Sequence, residues 1–286
     1  MDFKRKYLLS KSSLPTLFHY CTDTSFHQII LTRSLRFTSL ETMNDSLELK
    51  WGPDLLNEII REWELSKMHR SELKFTSELK EMIGLYKAAS HSLASCFSLN
   101  GDLLSQWRAY TADASGFSIG FDLVDLNHNL RHTPLEVLYV VSKQRRELRE
   151  WVKELSTVYH GTGTDRFQDF VRGCGRLSSD LLAYKNPAFD EEREIRLVTD
   201  LRTAETATSS KILVSGMGQP EVKIEFAMRS GVPSPYIDHN FDGERPPIRE
   251  VVIGPKNRST EQQIMVYLAT LGIDGVKVRK SNASYR

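Results

Sequence analysis

Residues 189–198 read Phe189-Asp190-Glu191-Glu192-Arg193-Glu194-Ile195-Arg196-Leu197-Val198. Side chains on a β-strand alternate between its two faces. A strand here would set Glu192, Glu194, Arg196 and Val198 on one face and Ile195 and Leu197 on the other. Two carboxylates and a guanidinium would then recur about 7 Å apart along the strand. The ordinary account is an edge strand with a solvated charged face, and spacing alone favours it. The other account is a row of acids placed for chemistry.

The flanking sequence supplies the remaining elements. On the N-terminal side, Leu17–Cys21 predicts a strand, Asp23-Thr24-Ser25 a cap, Phe26–Leu31 a brief helix and Leu35–Ser39 a second strand, with Met43–Ser46 a loop. From about Gly52 to Ala89 the apolar positions Leu55, Ile59, Ile60 and Trp63 have helical spacing. His91–Ser98 reads as a buried strand, and Leu103, Leu104, Trp107 and Tyr110 share one side of a short helix. Strands follow at Gly116–Phe121 and Leu135–Val141, then helices near Lys143–Tyr159 and Asp165–Tyr184. Beyond the acidic strand come strands at Val222–Phe226 and Glu250–Ile253, a helix over Thr260–Leu271 and a last strand at Gly275–Val278. No repeat and no long linker divides the chain. It reads as one α+β domain over 1–286, with a core at about 17–280 and a helical insertion at about 52–90.

Composition narrows the class without naming a function. In 286 residues, 40% hydrophobic and 26% charged side chains are ordinary globular usage, which excludes a disordered or fibrous chain. Lys plus Arg number 38 against 37 Asp plus Glu, a formal charge of +1. That balance argues against a bulk electrostatic grip on nucleic acid or anionic lipid. Local basic faces remain at Lys4-Arg5-Lys6, at Lys143–Arg146 and from Lys277 to Lys280. Cys21, Cys96 and Cys174 form no framework and no Cys-x-x-Cys pair, which fits a reducing compartment. Tyr7–Phe18 is interrupted by serines and Pro15, and no apolar run approaches the roughly 20 residues of a membrane span. The expectation is a cytoplasmic protein with no membrane partner.

Several motifs lack their chemical context. Gly116-Phe117-Ser118-Ile119-Gly120 spells a hydrolase nucleophile elbow, yet it continues as an alternating strand instead of turning into a helix. His19, Cys21 and His27 fit no zinc spacing, so no metal is expected. Gly161-x-Gly163 and Gly216-x-Gly218 lack the Lys-Ser/Thr ending of a phosphate loop.

A set of short motifs in a fixed order says more. They are Phe18-His19-Tyr20, Asn44-Asp45-x-x-Glu48, Cys96-Phe97-Ser98, Trp107-x-x-Tyr110 and Gly116-x-x-Ile119-Gly120-Phe121-Asp122. Lys185, Glu192-x-Glu194-x-Arg196 and Val251-Val252-Ile253-Gly254-Pro255 complete the series. Over roughly residues 17–270 the chain resembles the bacterial family catalogued as domain of unknown function 2971, with Phe189 where that family usually has Trp. That family is in turn similar, more distantly, to the ADP-ribosyltransferase superfamily.

The resemblance implies a split mixed β-sheet core and an NAD-consuming mono-ADP-ribosyltransferase, acting on a nucleic acid or protein acceptor. NAD would be its substrate. It implies Glu194 as the catalytic carboxylate that stabilises a cation-like ribose, and Glu192 as the group that positions or activates the acceptor. His19 and Tyr20 would contact the dinucleotide, Trp107 and Tyr110 would wall the pocket, and Arg36 or Arg196 would meet the pyrophosphate. Ser98 completes the implied cofactor-binding set. Unrestrained, such an enzyme is toxic, so the expectation extends to a toxin or defence effector held by an inhibitory partner. The residues themselves leave other readings open. His19 also fits an ordinary strand position, Trp107 and Tyr110 a core, Asn44-Asp45 a turn, and Arg196 a structural partner of Glu192 or Glu194. Two functional alternatives stand beside the transferase. One is a non-catalytic nucleotide- or nucleic-acid-binding module. The other is a nuclease with Asp45, Glu48, Glu192 and Glu194 around Mg²⁺.

Overall fold

The computed structural model describes residues 16–42, 48–130, 134–206, 209–215, 223–229, 231–241 and 246–285, and for Glu48 and residues 127–130 and 202–215 the backbone alone. The chain opens with β1 (Thr16–Cys21), α1 (Asp23–Thr32) and β2 (Ser34–Ser39), followed by α2 (Glu48–Lys67) and α3 (Arg70–Ala89). Next come β3 (Ser90–Ser98), α4 (Leu104–Tyr110), β4 (Phe117–Asp122), α5 (Leu123–Leu130) and β5 (Leu135–Glu136). Helices α6 (Val141–His160) and α7 (Arg166–Asp180) lead through a 3-10 turn at Pro187–Glu192 into β6 (Glu194–Thr206) and β7 (Ser209–Ser215). The chain closes with β8 (Glu225–Arg229), β9 (Val232–Asn240), β10 (Ile248–Ile253), α8 (Glu261–Thr270) and β11 (Lys277–Lys280).

The eleven strands of the described residues form one open mixed sheet, in the order β11-β10-β4-β1-β3-β2-β9-β8, with β6 paired to β3, β5 and β7. Only β10 and β11 run parallel. One edge of β3 is paired with β6 along its whole length, from Ser90↔Arg202 to Ser98↔Glu194. Its other edge meets β1 only at Phe18↔Ser98 and β2 only at Thr38↔Ala94 and Ser39↔Leu93. Between those contacts Ser95, Cys96 and Phe97 face no strand, because β1 and β2 diverge around α1. The described residues thus form an α+β fold, as the mixture of short strands and helices led us to expect, with an open mixed sheet that parts at this point.

Two large apolar cores flank the sheet, and a third, smaller cluster among the described residues joins Phe18, Tyr20, Trp107, Ala114 and Val252. On one face Phe26, Ile29 and Ile30 of α1, spaced for a single helix face, pack with Leu17, Phe97, Ile119, Ile195 and Leu197. On the other, α2, α3, α6 and α7 bury Ile59, Phe75, Trp151, Phe170 and Leu177 together. The predicted insertion at 52–90 is therefore half of a helical layer. Helices α2 and α3 are closed by α6 and α7, since neither hairpin can hide its apolar stripe alone.

Several expectations need correction. The expected strand at Leu135–Val141 shrinks to the two residues of β5, followed by a bridge between Leu138 and Tyr184. Strands β7 and β9 were not expected at all; Pro233 and Pro235 interrupt the alternation of β9, which nevertheless pairs β2 and β8. Val222, from the expected strand at 222–226, lies outside the described residues, as do Met43–Ser46, Gly216 and Gly218. The acidic strand begins at Glu194 and not at Glu192. Glu192 closes the 3-10 turn, and Arg193 adopts the left-handed conformation with φ 44°.

The Gly-x-Ser-x-Gly segment is strand β4, and Ser118 is fully buried. Its first glycine serves close approach: a Cβ on Gly116 would lie 2.1 Å from the Cys21 carbonyl oxygen. Gly116→Ala is therefore expected to lower stability by about 1–3 kcal/mol through overpacking, read from urea unfolding.

Candidate functional site

The gap at β3 opens a cavity of about 390 Å³. That volume falls within the usual range for small-molecule sites. Strand β1 contributes His19 and Tyr20, β2 contributes Arg36, β3 contributes Ser95 and Cys96, α4 contributes Gln106 and Tyr110, and Lys185, Glu192 and Glu194 form its acidic end.

That acidic end is a buried ion cluster. Arg196 grips Glu194 with two bonds, Nε to Oε1 at 2.7 Å and Nη2 to Oε2 at 2.9 Å. Lys185 Nζ donates to Glu194 Oε2 at 3.0 Å and to Glu192 Oε2 at 2.5 Å. Lys185, Glu194 and Arg196 are all buried, at 3%, 7% and 2% exposure. The charged face of this strand is therefore not solvated. The helical layer covers it, and burial at that depth is tolerable only because two cations meet two anions with hydrogen bonds between them.

Local structure explains why the cluster forms. Alternation in β6 puts Glu194 and Arg196 on one face while Ile195 and Leu197 enter the core. The left-handed Arg193 folds the chain back, and its carbonyl accepts from Leu99 N while Glu192 O accepts from Ser98 Oγ at 2.7 Å. Glu192 thus reaches Lys185 from a different element than Glu194 does. The Arg196 guanidinium also donates through Nη1 to Leu182 O, at 2.8 Å.

Burial raises the Glu192 carboxyl above its ordinary pKa, and the pull of Lys185 only partly offsets this. Burial opposes the Lys185 ammonium, but Glu194 and Glu192 outweigh it and its pKa is raised. Desolvation lowers Arg196 to about 10, which leaves it a cation at neutral pH. His19 is lowered by burial, against a bond from its Nδ1 to Cys96 O at 2.9 Å. Its ring is neutral at physiological pH, and with Nδ1 donating, Nε2 is an acceptor. The Cys96 thiol, buried beside Glu194, is pushed well up, which removes it as a nucleophile.

The expected site residues separate into two groups. His19, Tyr20, Arg36, Tyr110, Glu192 and Glu194 all line the one cavity. Tyr20 does so with its hydroxyl already engaged, donating to Asn100 O and accepting from Leu103 N. Arg36 is bound to Asp238 through Nε at 2.7 Å and Nη2 at 2.5 Å, and lies over the Tyr236 ring. Trp107, Ser98 and Arg196 do not line it. Trp107 is a fully buried core side chain, edge-on to Tyr20 and tied to Asp102 Oδ1 at 2.7 Å. Ser98 is a backbone clamp on Glu192, and Arg196 sits behind Glu194 with no access to a pyrophosphate.

Sequence reading named Lys185 only as one motif position, and it did not single out Ser95. The Ser95 hydroxyl is buried on the cavity wall with no partner among the described residues. His27, raised above as a metal candidate, bonds Tyr267 Oη instead. Among the described residues no three His, Cys, Asp or Glu side chains are grouped to hold a metal ion. Asp45 lies outside the described residues, as does the side chain of Glu48. No helix among the described residues is long and apolar enough to cross a membrane.

Fold and cavity together define an α+β protein with a cavity of small-molecule size that ends on a buried ion cluster. Residues 106–197 match the family described as Protein of unknown function (DUF2971), so the expected resemblance holds over that segment. The matched segment carries Trp107, Tyr110, Lys185, Glu192, Glu194 and Arg196; His19 and Val251–Pro255 lie outside it. No curated protein and no solved structure matches the chain.

Proposed function

We propose that this protein is a mono-ADP-ribosyltransferase that consumes NAD at the split of its sheet. The observation that carries the reading is convergence. His19 from β1 and the Glu192–Glu194 pair, far apart in sequence, line one cavity of about 390 Å³. In the reaction, the bond between the nicotinamide nitrogen and ribose C1′ breaks, and its electron pair leaves with nicotinamide. The acceptor nucleophile bonds to C1′ and its proton passes to a carboxylate. Glu194, bonded by Arg196 and Lys185, faces the developing ribose cation. Glu192, with its raised pKa, takes the proton. Neutral His19, on the wall of the same cavity, would bond ribose or amide groups of the dinucleotide.

A Mg²⁺ nuclease is the weaker account, because the Lys185 ammonium already stands between Glu192 and Glu194. The binding module has one observation in its favour: both Glu194 oxygens already accept bonds from Arg196 or Lys185. Nicotinamide release from NAD, with and without nucleic acid and protein acceptors, decides between them. Release that depends on an acceptor supports the transferase and identifies the acceptor class. Calorimetric binding of NAD without release supports the module. The absence of both binding and release would overturn the NAD reading.

A further inference from the structure

We propose that Lys185 is a positioning residue, whose ammonium holds the Glu192 and Glu194 carboxyl groups side by side at the end of the cavity; this rests on the transferase reading for its catalytic consequence. Glu192 and Glu194 come from two elements, the 3-10 turn and β6, and both accept from Lys185 Nζ. Arg196 is tied to Glu194, whereas Lys185 is tied to both acids and so links them.

The lysine is itself fixed from the helical layer. Its amide donates to Leu138 O, and its carbonyl accepts from Gln144 Nε2 at 2.8 Å. Gln144, fully buried on α6, accepts in turn from Trp51 Nε1 of α2 at 3.1 Å. The second core thus sets where the ammonium stands, and the Phe189 ring lies 5.1 Å from Nζ. The titratable and charged groups facing Glu192 are Lys185, Glu194 and Glu191, with Tyr110 from α4, Cys96 from β3 and Tyr139 from the segment before α6. Among these Lys185 is the only cation. Without it two carboxylates would confront each other in a buried site, and one would take up a proton.

The test compares wild type, Lys185→Met and Lys185→Met/Glu192→Gln in two assays. The first is nicotinamide release from NAD, followed between about pH 5 and pH 9. In the single variant the acid limb is expected to move up by about one pH unit or more, a tenfold change in proton affinity, with kcat falling more than KM rises. The second assay is urea unfolding at about pH 5.5 and pH 8. A carboxyl whose folded pKa is raised above its unfolded value loses stability as pH rises between the two. Lys185→Met should therefore lose more stability at the higher pH, and removing the second acid in the double variant should recover part of it. An unmoved acid limb, an equal loss at both pH values, or a double variant less stable than the single one would each overturn the proposal. If wild type releases no nicotinamide, the transferase reading fails, and the unfolding arms still decide the role of Lys185.

Discussion

Arg196→Met is expected to cost about 3–5 kcal/mol of folding stability, the largest effect of any single substitution in the cluster. The guanidinium is 2% exposed and supplies two of the three cationic bonds on Glu194. Methionine fills most of the volume but leaves a buried carboxylate with Lys185 alone, and Leu182 O loses its donor. The sign of the pH dependence follows. With its main counter-ion gone, Glu194 is a buried and poorly paired charge, so the loss is expected to be smaller at low pH, where carboxylates are protonated, and to grow as pH rises. Urea unfolding at several pH values measures it, and Arg196→Met/Glu194→Gln should regain most of the difference because the stranded charge is then absent. A loss under about 1 kcal/mol at every pH would mean that Lys185 and water compensate, and that Arg196 is not the anchor described above.

What was legible in the sequence follows from which interactions are local. The two-residue period of Ile195 and Leu197 correctly separated the core face of β6 from the face with Glu194 and Arg196, because side-chain alternation is a backbone property. The burial of that charged face was not legible. It is imposed by α6, α7 and the segment around Tyr139, whose positions depend on apolar stripes closing on α2 and α3. Glu192 was misplaced by extending the alternation two residues too far. The turn that ends it is held at the end of β3, where Leu99 N donates to the carbonyl of the left-handed Arg193 and Ser98 Oγ to that of Glu192. Trp107 shows the opposite difficulty. Its helical spacing with Tyr110 was read correctly, yet spacing cannot tell the side facing a cavity from the side facing a core. Lys185 was named only as a motif position and given no role, because a lone lysine between Tyr184 and Asn186 has no pattern. Its meaning comes from Gln144 and from two acids on separate elements.

Glu194→Gln is expected to reduce nicotinamide release by about 10²–10³-fold, the size of effect seen when one preorganised charge-stabilising group is removed from a site. The substitution is nearly isosteric but deletes the negative charge facing the ribose, and it leaves Lys185 with Glu192 as its remaining acid partner in the cluster. Thermal unfolding by circular dichroism, run beside the assay, separates lost activity from lost fold. The pH profile separates the two acids. Glu194 raises Glu192 by like-charge repulsion, so Glu194→Gln should lower the plateau and move the acid limb toward lower pH. Glu192→Gln should instead abolish the limb, because the group that titrates is gone. Wild-type release by a folded Glu194→Gln chain would show that this carboxylate only anchors the cluster, and that any chemistry in the cavity belongs to Glu192.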